Sequence, residues 1–593
     1  MRLAASLGAG RVLSGSMVGS GSRLTLSAVI YAVPDGREVA RPDPVSGPAD
    51  SLPLLVRRVT ASLLTGARSG DPDARDPGTY SAAALRHYLA GQAAQRRGSY
   101  PEARHFFEQA LALDSDFTLA SLAAVLTARW AGGAGPETPR HRRLAWTQRR
   151  RLSPRDQALL MLELGERYPE RTPTAEQLVA AERGAANYPD NIELWEELAD
   201  KYFHSGLQLG FPDAPERAGA AFRRALALDS TFSSALFHLF DLAAARGDTA
   251  EARSWGARYL ATAPSTEFAI GVRWRLAAMS RDGATIERLV QEVERGTVRM
   301  AWVIVTGELW DSIGMAQADR LLAAARRNTG TQADRDVVNE LTGLIEFNRG
   351  RPGAARGTAM GLQVLEWLYG EGDSVAAAAD ARGYDRLAGA APAATPDERA
   401  RQYRAACFAG QWRAWHPQPA LAHRAIERLS RAAAVPDSGR TVAEARTCAA
   451  ALRAAVAVRS DAADADAMIA RFDSVIRSGP VHRRATFNSP SMLDWELLLL
   501  SRLYESRGDD SAALAAVRRR NMWETYPRSP FLTASLRREG DLAMRLGDRE
   551  GAIRAYRWYL TLMKDPDPAL VPRRNAVEVK VAQLRRSQPR TTR

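Results

Sequence analysis

The first elements are indicated by an alternation of apolar and polar positions near the start of the chain. In "RLTLSAVIYA", residues 23–32, every second side chain is apolar, and a period of two is typical of a strand with one buried face. These apolar positions are Leu24, Leu26, Ala28, Ile30 and Ala32. Turn formers bracket this segment at Gly19-Ser20-Gly21 and Pro34-Asp35-Gly36. We therefore predict three strands joined by two hairpins, followed by a helix from about Asp50 to Leu64.

From residue 80 onwards the spacing changes to that of helical hairpins. The clearest unit contains Gly91, Gly98, Tyr100, Ala103, Phe107 and Ala110. Two antiparallel helices can cross closely only where small residues lie at the contact, so we predict Gly91, Ala103 and Ala110 at the crossing. The two aromatic rings then fill the space around it. Gly98 is predicted to end the first helix in a left-handed conformation.

The same offsets recur, with imperfections, over most of the chain. The echoes are Trp195, Leu198, Ala199 and Tyr202; Ala218, Phe222 and Ala225; Gly247, Ala252, Tyr259 and Pro264; Gly343, Gly350 and Ala355; Tyr504, Gly508 and Ala513; and Gly540, Gly547, Ala552 and Tyr556. This pattern resembles the tetratricopeptide repeat (TPR), a helix-turn-helix unit of about 34 residues. The resemblance implies an α-solenoid of about ten to twelve stacked units held together by nearest-neighbour packing.

The first 66 residues resemble a different family. "LGAGRVLSGSMVGSGSRLTLSAVIYAVPDGREVA" followed by "DSLPLLVRRVTASLL" is similar to the second half of the TolB-like amino-terminal domain, over roughly residues 5–66. Three strands and one helix leave a sheet face and its edges uncovered, so we expect further sequence upstream. In that bacterial family the module often lies between a signalling output, such as a Ser/Thr kinase or a nucleotide cyclase, and a repeat array. The resemblance therefore implies a signalling context and supplies no catalytic residue.

The predicted fold class is mostly α, a TPR-like α-solenoid of helical hairpins preceded by a small α+β segment. The predicted divisions are a partial TolB-like domain at 1–66, a Gly-, Pro- and Asp-rich linker at 67–79, a TPR-like array at 80–265, degenerate helical repeats at 266–480, TPR-like repeats at 481–565 and a basic tail at 566–593.

Composition narrows the range of partners. The net charge of +13 comes from 81 Lys and Arg against 68 Asp and Glu, and only three of the basic residues are lysines: Lys201, Lys564 and Lys580. The arginines are scattered among carboxylates along most of the chain, whereas a nucleic-acid reader concentrates its charge on one face. We therefore expect no nucleic-acid partner.

No run of 18 uninterrupted apolar residues is present, so the sequence predicts no membrane span.

The residue patterns predict no catalytic, cofactor-binding or metal site. The glycines from Gly8 to Gly21 lack the Lys-Ser/Thr ending of a phosphate loop, and the serines among them are not in a nucleophile elbow. The histidines, including His87, His105, His204 and His238, have no HExxH spacing, and the aspartates Asp461, Asp464 and Asp466 lack the rest of a calcium loop. Solvated helix faces or satisfied interior positions account for both the histidines and the aspartates.

The two cysteines, Cys407 and Cys448, are not accompanied by a second pair. We therefore expect two small buried apolar side chains.

A helical-repeat array most often binds an extended peptide or a partner helix in its groove. The residues predicted to face such a groove are Leu85, Tyr88, Gln92 and Arg96 in the first clear repeat and Arg537, Asp541 and Arg545 in the last. The function predicted first is a non-catalytic protein-binding scaffold or adaptor with a protein or peptide partner.

Two other functions stay open at this stage. The chain could be the sensory or regulatory portion of a bacterial membrane Ser/Thr kinase or nucleotide cyclase system whose output domain is not in this chain. It could also be a hydrolase or other enzyme with a site that no motif reveals, which a pocket with convergent carboxylates or a nucleophile-base pair would support. The location is cytoplasmic by default, because the start of the chain is a poor signal peptide, and extracytoplasmic if the chain belongs to a membrane receptor.

Overall fold

The computed structural model describes residues 11–586, with interruptions. The interruptions are residues 21, 34, 66–78, 80, 129, 131–136, 171, 267, 308–311, 355–373, 392, 394, 417–418, 435–439, 479–492 and 521–530. Most of the predicted linker at 67–79, the last seven residues of the predicted tail, the turn residues Gly21 and Pro34, and Ala355 lie outside the described residues.

The chain opens with a small antiparallel sheet. Its strands are β1 Arg11–Ser20, β2 Arg23–Ala32, β3 Glu38–Ala40 and β4 Val45–Pro48. β1 and β2 pair along their whole length, from Arg11 opposite Ala32 to Ser20 opposite Arg23. β3 and β4 both pair with β2. The predicted third strand is therefore two short strands, which is a correction. Pro42 and Pro44 lie between them, and proline has no backbone N–H to donate to a ladder.

The predicted helix after the sheet is confirmed as α1 Leu52–Thr65, preceded by a single 3-10 turn at Ala49–Ser51. α1 packs on the sheet through buried apolar side chains, among them Leu55 and Val59. Leu55 lies so close to Gly47 of β4 that a Cβ on that glycine would come within 2.8 Å of the leucine Cδ2. The glycine therefore permits the close approach of helix and strand.

The rest of the described chain is helical, as predicted. The helices up to residue 262 are α2 Ala82–Arg96, α3 Tyr100–Leu113, α4 Thr118–Ala128, α5 Thr138–Thr147, α6 Pro154–Leu164, α7 Thr174–Asn187, α8 Ile192–Lys201, α9 Leu207–Leu209, α10 Ala214–Leu228, α11 Ser233–Ala245 and α12 Thr249–Thr262. A π-helical turn, Tyr202–Gly206, joins α8 to α9 without a break in the helix.

The remaining helices include the segments that lack the TPR signature residues. They are α13 Ala269–Met279, α14 Gly283–Arg295, α15 Val298–Gly307, α16 Ser312–Arg327, α17 Gln332–Asn348, α18 Ser374–Gly389, α19 Pro396–Trp415, α20 Pro419–Ala433, α21 Arg440–Arg459, α22 Ala465–Arg477, α23 Leu493–Ser506, α24 Asp510–Arg518, α25 Leu532–Arg545, α26 Arg549–Leu562 and α27 Val571–Arg586. Within the part of the chain that the structure describes, no helix combines the length and the apolarity needed to cross a bilayer. The fold class is mostly α, a solenoid-type succession of helical hairpins after a small α+β segment.

The first hairpin, α2 and α3, has the predicted contacts. Ala103, Phe107 and Ala110 are fully buried between its helices. A Cβ on Gly91 would lie 2.5 Å from Cε1 of the Phe107 ring, so only a glycine fits opposite this aromatic side chain. Gly98 has a left-handed φ of 76° and its N–H donates to the carbonyl of Gln95, which ends α2 as predicted.

The chain divides into two compact units, and each contains discontinuous segments. One unit comprises Met1–Pro169, Ala180–Trp195 and Ala225–Ser234; the other comprises Glu170–Val179, Glu196–Arg224 and Ala235–Arg593. The predicted domain boundaries stay predictions. We call these two groups the first unit and the second unit.

In the second unit, packing is not confined to neighbouring hairpins, which corrects the prediction of nearest-neighbour contacts alone. The side chain of Asn348, at the end of α17, accepts a hydrogen bond from the backbone N–H of Thr533 at 3.1 Å. The backbone N–H of Asp567 donates to the carbonyl of Gly350 at 2.8 Å. Arg519 donates to the carbonyl of Gln208, which is 311 residues away in sequence, at 2.8 Å. Hydrogen bonds between segments that are distant in sequence therefore connect the helices of this unit.

The two cysteines correct a second prediction. Cys407 on α19 and Cys448 on α21 form a disulfide, with their Cα atoms 5.5 Å apart. Both side chains are buried, as expected, but they are bonded instead of being independent apolar groups. Their separation of 41 residues gave no sequence signal, because two cysteines this far apart pair only if the fold brings their helices together.

Candidate functional site

The predicted groove residues of the first hairpin separate into buried and accessible groups. Leu85 and Tyr88 belong to the hydrophobic core, where the Tyr88 ring lies 5.1 Å from that of Phe117. Burial raises the pKa of the Tyr88 phenol. Their assignment to an open face is therefore corrected: helix α2 turns both side chains inward. Gln92 is half-buried and donates to the Tyr88 hydroxyl at 2.8 Å, and Arg96 is exposed.

The predicted residues of the last repeat lie on one stripe of α25, because they follow one another at intervals of four residues. Arg537 pairs with Asp541 at 3.3 Å, and Asp541 also accepts from Lys580 on α27 at 2.6 Å. Arg545 pairs with Glu505 at 2.6 Å and with Asp510 at 2.7 Å. These three side chains are 22%, 20% and 40% exposed, so the stripe is held by its neighbours and still open to solvent.

A more deeply buried ion-pair network lies beside this stripe. Glu539 accepts from Arg520 at 2.5 Å and from Arg518 at 3.0 Å. Burial alone would raise the pKa of Glu539, but the charge and hydrogen bond of Arg520, together with those of Arg518, hold that pKa below its ordinary value. Arg538 pairs with Glu505, and burial lowers the pKa of the Arg538 guanidinium. The network joins α23, α24 and α25.

A separate cluster of polar residues lies inside the second unit, where Asp200, His204 and His238 converge. All three side chains are buried: the residues are 3%, 5% and 0% exposed. One ligand atom from each lies within 4.8 Å of the other two, and His204 Nε2 is 3.2 Å from Asp200 Oδ1. Two imidazoles and a carboxylate are the side chains that most often hold a transition metal in a protein. We call these three residues the His-Asp cluster.

The local helix geometry produces the cluster. Asp200 lies in the last turn of α8, and His204 lies four residues later within the π-helical turn Tyr202–Gly206, so both side chains face the same way. Single π turns inside α-helices occur frequently at functional sites. Gly206 permits the turn to pack closely, because a Cβ there would collide with the Cβ of Ala214. His238 is contributed by α11.

Aromatic rings wall the cluster on the side of His238. The Phe222 ring stacks on the His238 imidazole with centroids 4.7 Å apart and an interplanar angle of 11°. The Phe203 ring contacts His238 edge-on at 4.6 Å and His204 edge-on at 4.8 Å. These contacts restrict the orientation of the two imidazoles and cover them against solvent.

Further buried charges lie one helical turn from the cluster. Asp241 follows His238 on the same face of α11, is 2% exposed, and lies 4.0 Å from the Arg275 guanidinium. Glu197, also 2% exposed, precedes Asp200 by one turn on α8. Glu196 and Lys201 on α8 are buried as well, so the other buried charged groups on these helices, together with Arg275, are three carboxylates and two cations.

The sequence predicts solvated or interior positions for His204 and His238. The structure places both in the interior, as one of these alternatives expects. It also shows that the two imidazoles lie close to each other. A signal was present in the sequence. Asp200 and His204 are spaced i, i+4, which places two ligand types on one helix face. His204 and His238 are 34 positions apart, the length of one repeat, and equivalent positions of stacked repeats are neighbours. The HExxH spacing does not describe this arrangement, in which the two histidines belong to different helices.

Comparisons with known proteins add little to this picture. No family model matches the chain, and no curated protein matches it. Among solved structures, the chain is similar to one from the crystal structure of the APC/C hetero-tetramer Cut9-Hcn1, at 12% identity over 86% of this chain and 91% of that one, with a TM-score of 0.22. It is also similar to a chain from the structure of Naa15/Naa10 bound to HypK-THB, at 13% identity over 90% and 77%, with a TM-score of 0.19. Neither likeness carries an argument about function, and the fold stated above rests on the helices themselves.

Proposed function

We propose that the chain is a non-catalytic scaffold that binds a protein or peptide partner along its helical hairpins. The observation that supports this most directly is the charged stripe of α25, formed by Arg537, Asp541 and Arg545. Its side chains are oriented by ion pairs with neighbouring helices and remain 20–40% exposed. A pre-oriented arginine loses little conformational entropy when it binds, and arginine is enriched at protein interfaces. A partner that presents carboxylates or carbonyls to the stripe fits this surface.

The first hairpin also has accessible polar side chains that a partner could contact, but fewer of them than the stripe of α25. Gln92 and Arg96 remain accessible on α2 after Leu85 and Tyr88 are assigned to the core. The Tyr88 hydroxyl orients Gln92 from below. A test of binding at this hairpin therefore changes Arg96 and leaves Tyr88 intact, because truncation of a buried tyrosine would damage the fold.

The proposal is tested with purified full-length chain and a partner obtained by cross-linking and affinity capture. The double variant Arg537→Gln and Arg545→Gln removes the positive charges of the stripe. The control Arg554→Gln removes an arginine that is 71% exposed on α26 and outside the stripe. Each protein is then titrated with the purified partner. We expect at least about tenfold weaker binding for the double variant and unchanged binding for the control.

Equal affinity of the double variant and the wild type would remove the stripe from the proposed function. Because Arg545 forms ion pairs with Glu505 and Asp510, the urea midpoints of all variants are measured in parallel. A loss of binding at an unchanged midpoint supports a contact with the partner. A parallel series with Arg96→Glu applies the same criterion to the first hairpin.

The alternative function, a regulatory portion of a kinase or cyclase system, is favoured by the sheet segment. Residues 11–65 form four antiparallel strands and one helix, and the resemblance to TolB-like domains lies there. The genomic sequence read in frame upstream of this chain tests it directly. An output domain encoded in the same frame would support the alternative, and a separate upstream gene would oppose it.

A further inference from the structure

We propose that Asp200, His204 and His238 bind one divalent transition-metal ion of the zinc type, as a structural site that ties the π-helical turn to α11. The inference is independent of the proposed scaffold function. It assigns a ligand to three buried polar residues that a protein-binding surface does not use.

The distances suit a metal. Two ligand atoms bound tetrahedrally to zinc at about 2.0 Å are about 3.3 Å apart. His204 Nε2 and Asp200 Oδ1 already have that separation, at 3.2 Å. The third ligand atom lies within 4.8 Å of both, and an ion bound between them would draw the three ligand atoms together. The two histidines come from different helices, so one ion would cross-link them.

The ligand set indicates which metals. Two imidazoles and one carboxylate form a borderline nitrogen and oxygen set that suits Zn²⁺, Co²⁺ and related first-row ions. Ca²⁺ and Mg²⁺ prefer sets made of oxygen alone and would not accept imidazoles. Three protein ligands leave a fourth position open, but the burial of all three residues and the rings of Phe203 and Phe222 leave little access for a substrate. The site is therefore assigned a structural role.

The surroundings also favour a cation. The buried carboxylates of Asp241 and Glu197 each lie one helical turn from a cluster residue. The Arg275 guanidinium is close to Asp241 and packs over the Phe240 ring. An ion pair between Asp200 and a protonated His204 is the competing explanation. That pair involves one imidazole, whereas ligand atoms of both imidazoles lie within 4.8 Å of a carboxylate oxygen of Asp200.

The test uses the full-length chain, freed of metal with a chelator and then titrated with Zn²⁺ or Co²⁺ alone. We expect about one equivalent of either ion to be retained after desalting. We also expect a Co²⁺ absorption band in the visible region and a higher thermal midpoint with bound metal. Mg²⁺ and Ca²⁺ should produce none of these changes.

Two variants locate the ion. Asp200→Asn keeps the size of the side chain and His238→Gln keeps a polar side chain, and each should weaken Co²⁺ binding at least tenfold, about the effect of disturbing a metal shell. His141→Gln is the matched control, because His141 is a buried histidine outside the cluster. Near-ultraviolet circular dichroism of the metal-free proteins identifies any variant that has not folded.

Each result of these experiments either supports the metal site or overturns it. Metal bound by the wild type and the control, and lost in a folded variant, supports the site. If Asp200→Asn fails to fold, His238→Gln gives the decision. Absence of a band and of retained metal in the wild type overturns the proposal. Undiminished binding by both folded variants overturns it as well, since the ion would then lie elsewhere.

Discussion

At the scale of single residues, the close contacts of the hairpins depend on positions that have no side chain. Gly91 faces the ring of Phe107 in the first hairpin, and Gly540 faces the ring of Tyr556 in the hairpin of α25 and α26. The two pairs have the same offset of 16 residues, which is why the pattern is visible in the sequence. A glycine at each crossing allows the aromatic ring to lie against the backbone of the partner helix.

We predict that Gly540→Ala destabilises the second unit by about 1–3 kcal/mol, the usual cost of overpacking a tight core. The added Cβ would lie 2.5 Å from Cδ1 of Tyr556, a ring that is fully buried and hydrogen-bonded to Asp541. Urea unfolding followed by circular dichroism measures the change. Gly283→Ala is the control, because a Cβ there meets no atom within 4 Å. Equal effects of the two substitutions would contradict the steric explanation.

At the scale of helices, buried charges connect the segment that follows α24 to α25. Arg520 and Glu539 have side chains that are 5% and 12% exposed, so their ion pair is shielded from solvent. Removal of one member of a buried pair leaves the other charge without compensation.

We predict that Glu539→Gln lowers the free energy of unfolding by about 3 kcal/mol near neutral pH. The pKa of Glu539 is lowered in the folded chain, so its contribution is present above the unfolded pKa of about 4.3 and is lost as the pH falls through the folded value. The difference between wild type and variant should therefore shrink below about pH 4. Thermal midpoints between neutral pH and pH 3 check this. Glu550→Gln, at an exposed pair with Arg554, should leave the midpoint unchanged throughout.

The disulfide joins α19 to α21 and closes a loop of 41 residues. Because a cross-link across a loop of this length restricts the unfolded chain, we predict that reduction of the disulfide lowers the free energy of unfolding of the second unit by about 3–4 kcal/mol. The measurement compares urea unfolding of the oxidised and reduced chain. The double variant Cys407→Ala and Cys448→Ala should be insensitive to the reductant. If the untreated, denatured chain reacts with a thiol reagent, the bond is absent and the prediction fails.

Local packing could be read from the sequence, and contacts between distant helices could not. The offsets around Ala103 predicted the crossing in the first hairpin and the left-handed turn at Gly98, because both depend on residues close in sequence. The same reasoning placed Leu85 and Tyr88 on an open face, because a repeat pattern gives the spacing of helix faces but not which face a neighbouring helix covers. The meeting of Asp200 with His238 and of Cys407 with Cys448 depends on how separate helices pack, for which a single sequence carries only weak signals.

At the scale of the whole second unit, a few polar contacts connect helices that are far apart in sequence. Asn348 and Thr533 are both buried, and 185 residues separate them. In a simple repeat array each hairpin would unfold with only its neighbours. Contacts of this kind link the unfolding of hairpins that are not neighbours. We therefore expect the second unit to unfold more cooperatively than a simple repeat array of the same length.

We predict that Asn348→Leu destabilises the second unit by about 1–3 kcal/mol, because it leaves the buried N–H of Thr533 without its acceptor. Hydrogen exchange at Thr533 should become faster, and the urea midpoint should fall. Thr533→Val keeps that N–H and its acceptor and should cost less. If Thr533→Val lowered the free energy of unfolding more than Asn348→Leu did, the hydrogen bond from the Thr533 N–H to the Asn348 side chain would not be the stabilising contact.

The contact between Arg519 and the carbonyl of Gln208 has a consequence for synthesis on the ribosome. The carbonyl is made 311 residues before its partner. At about 5–20 residues per second, roughly 15–60 s pass before translation reaches the arginine. During that interval the nascent chain exposes surface that the finished protein covers, and chaperones that bind unfolded chains would act at that stage.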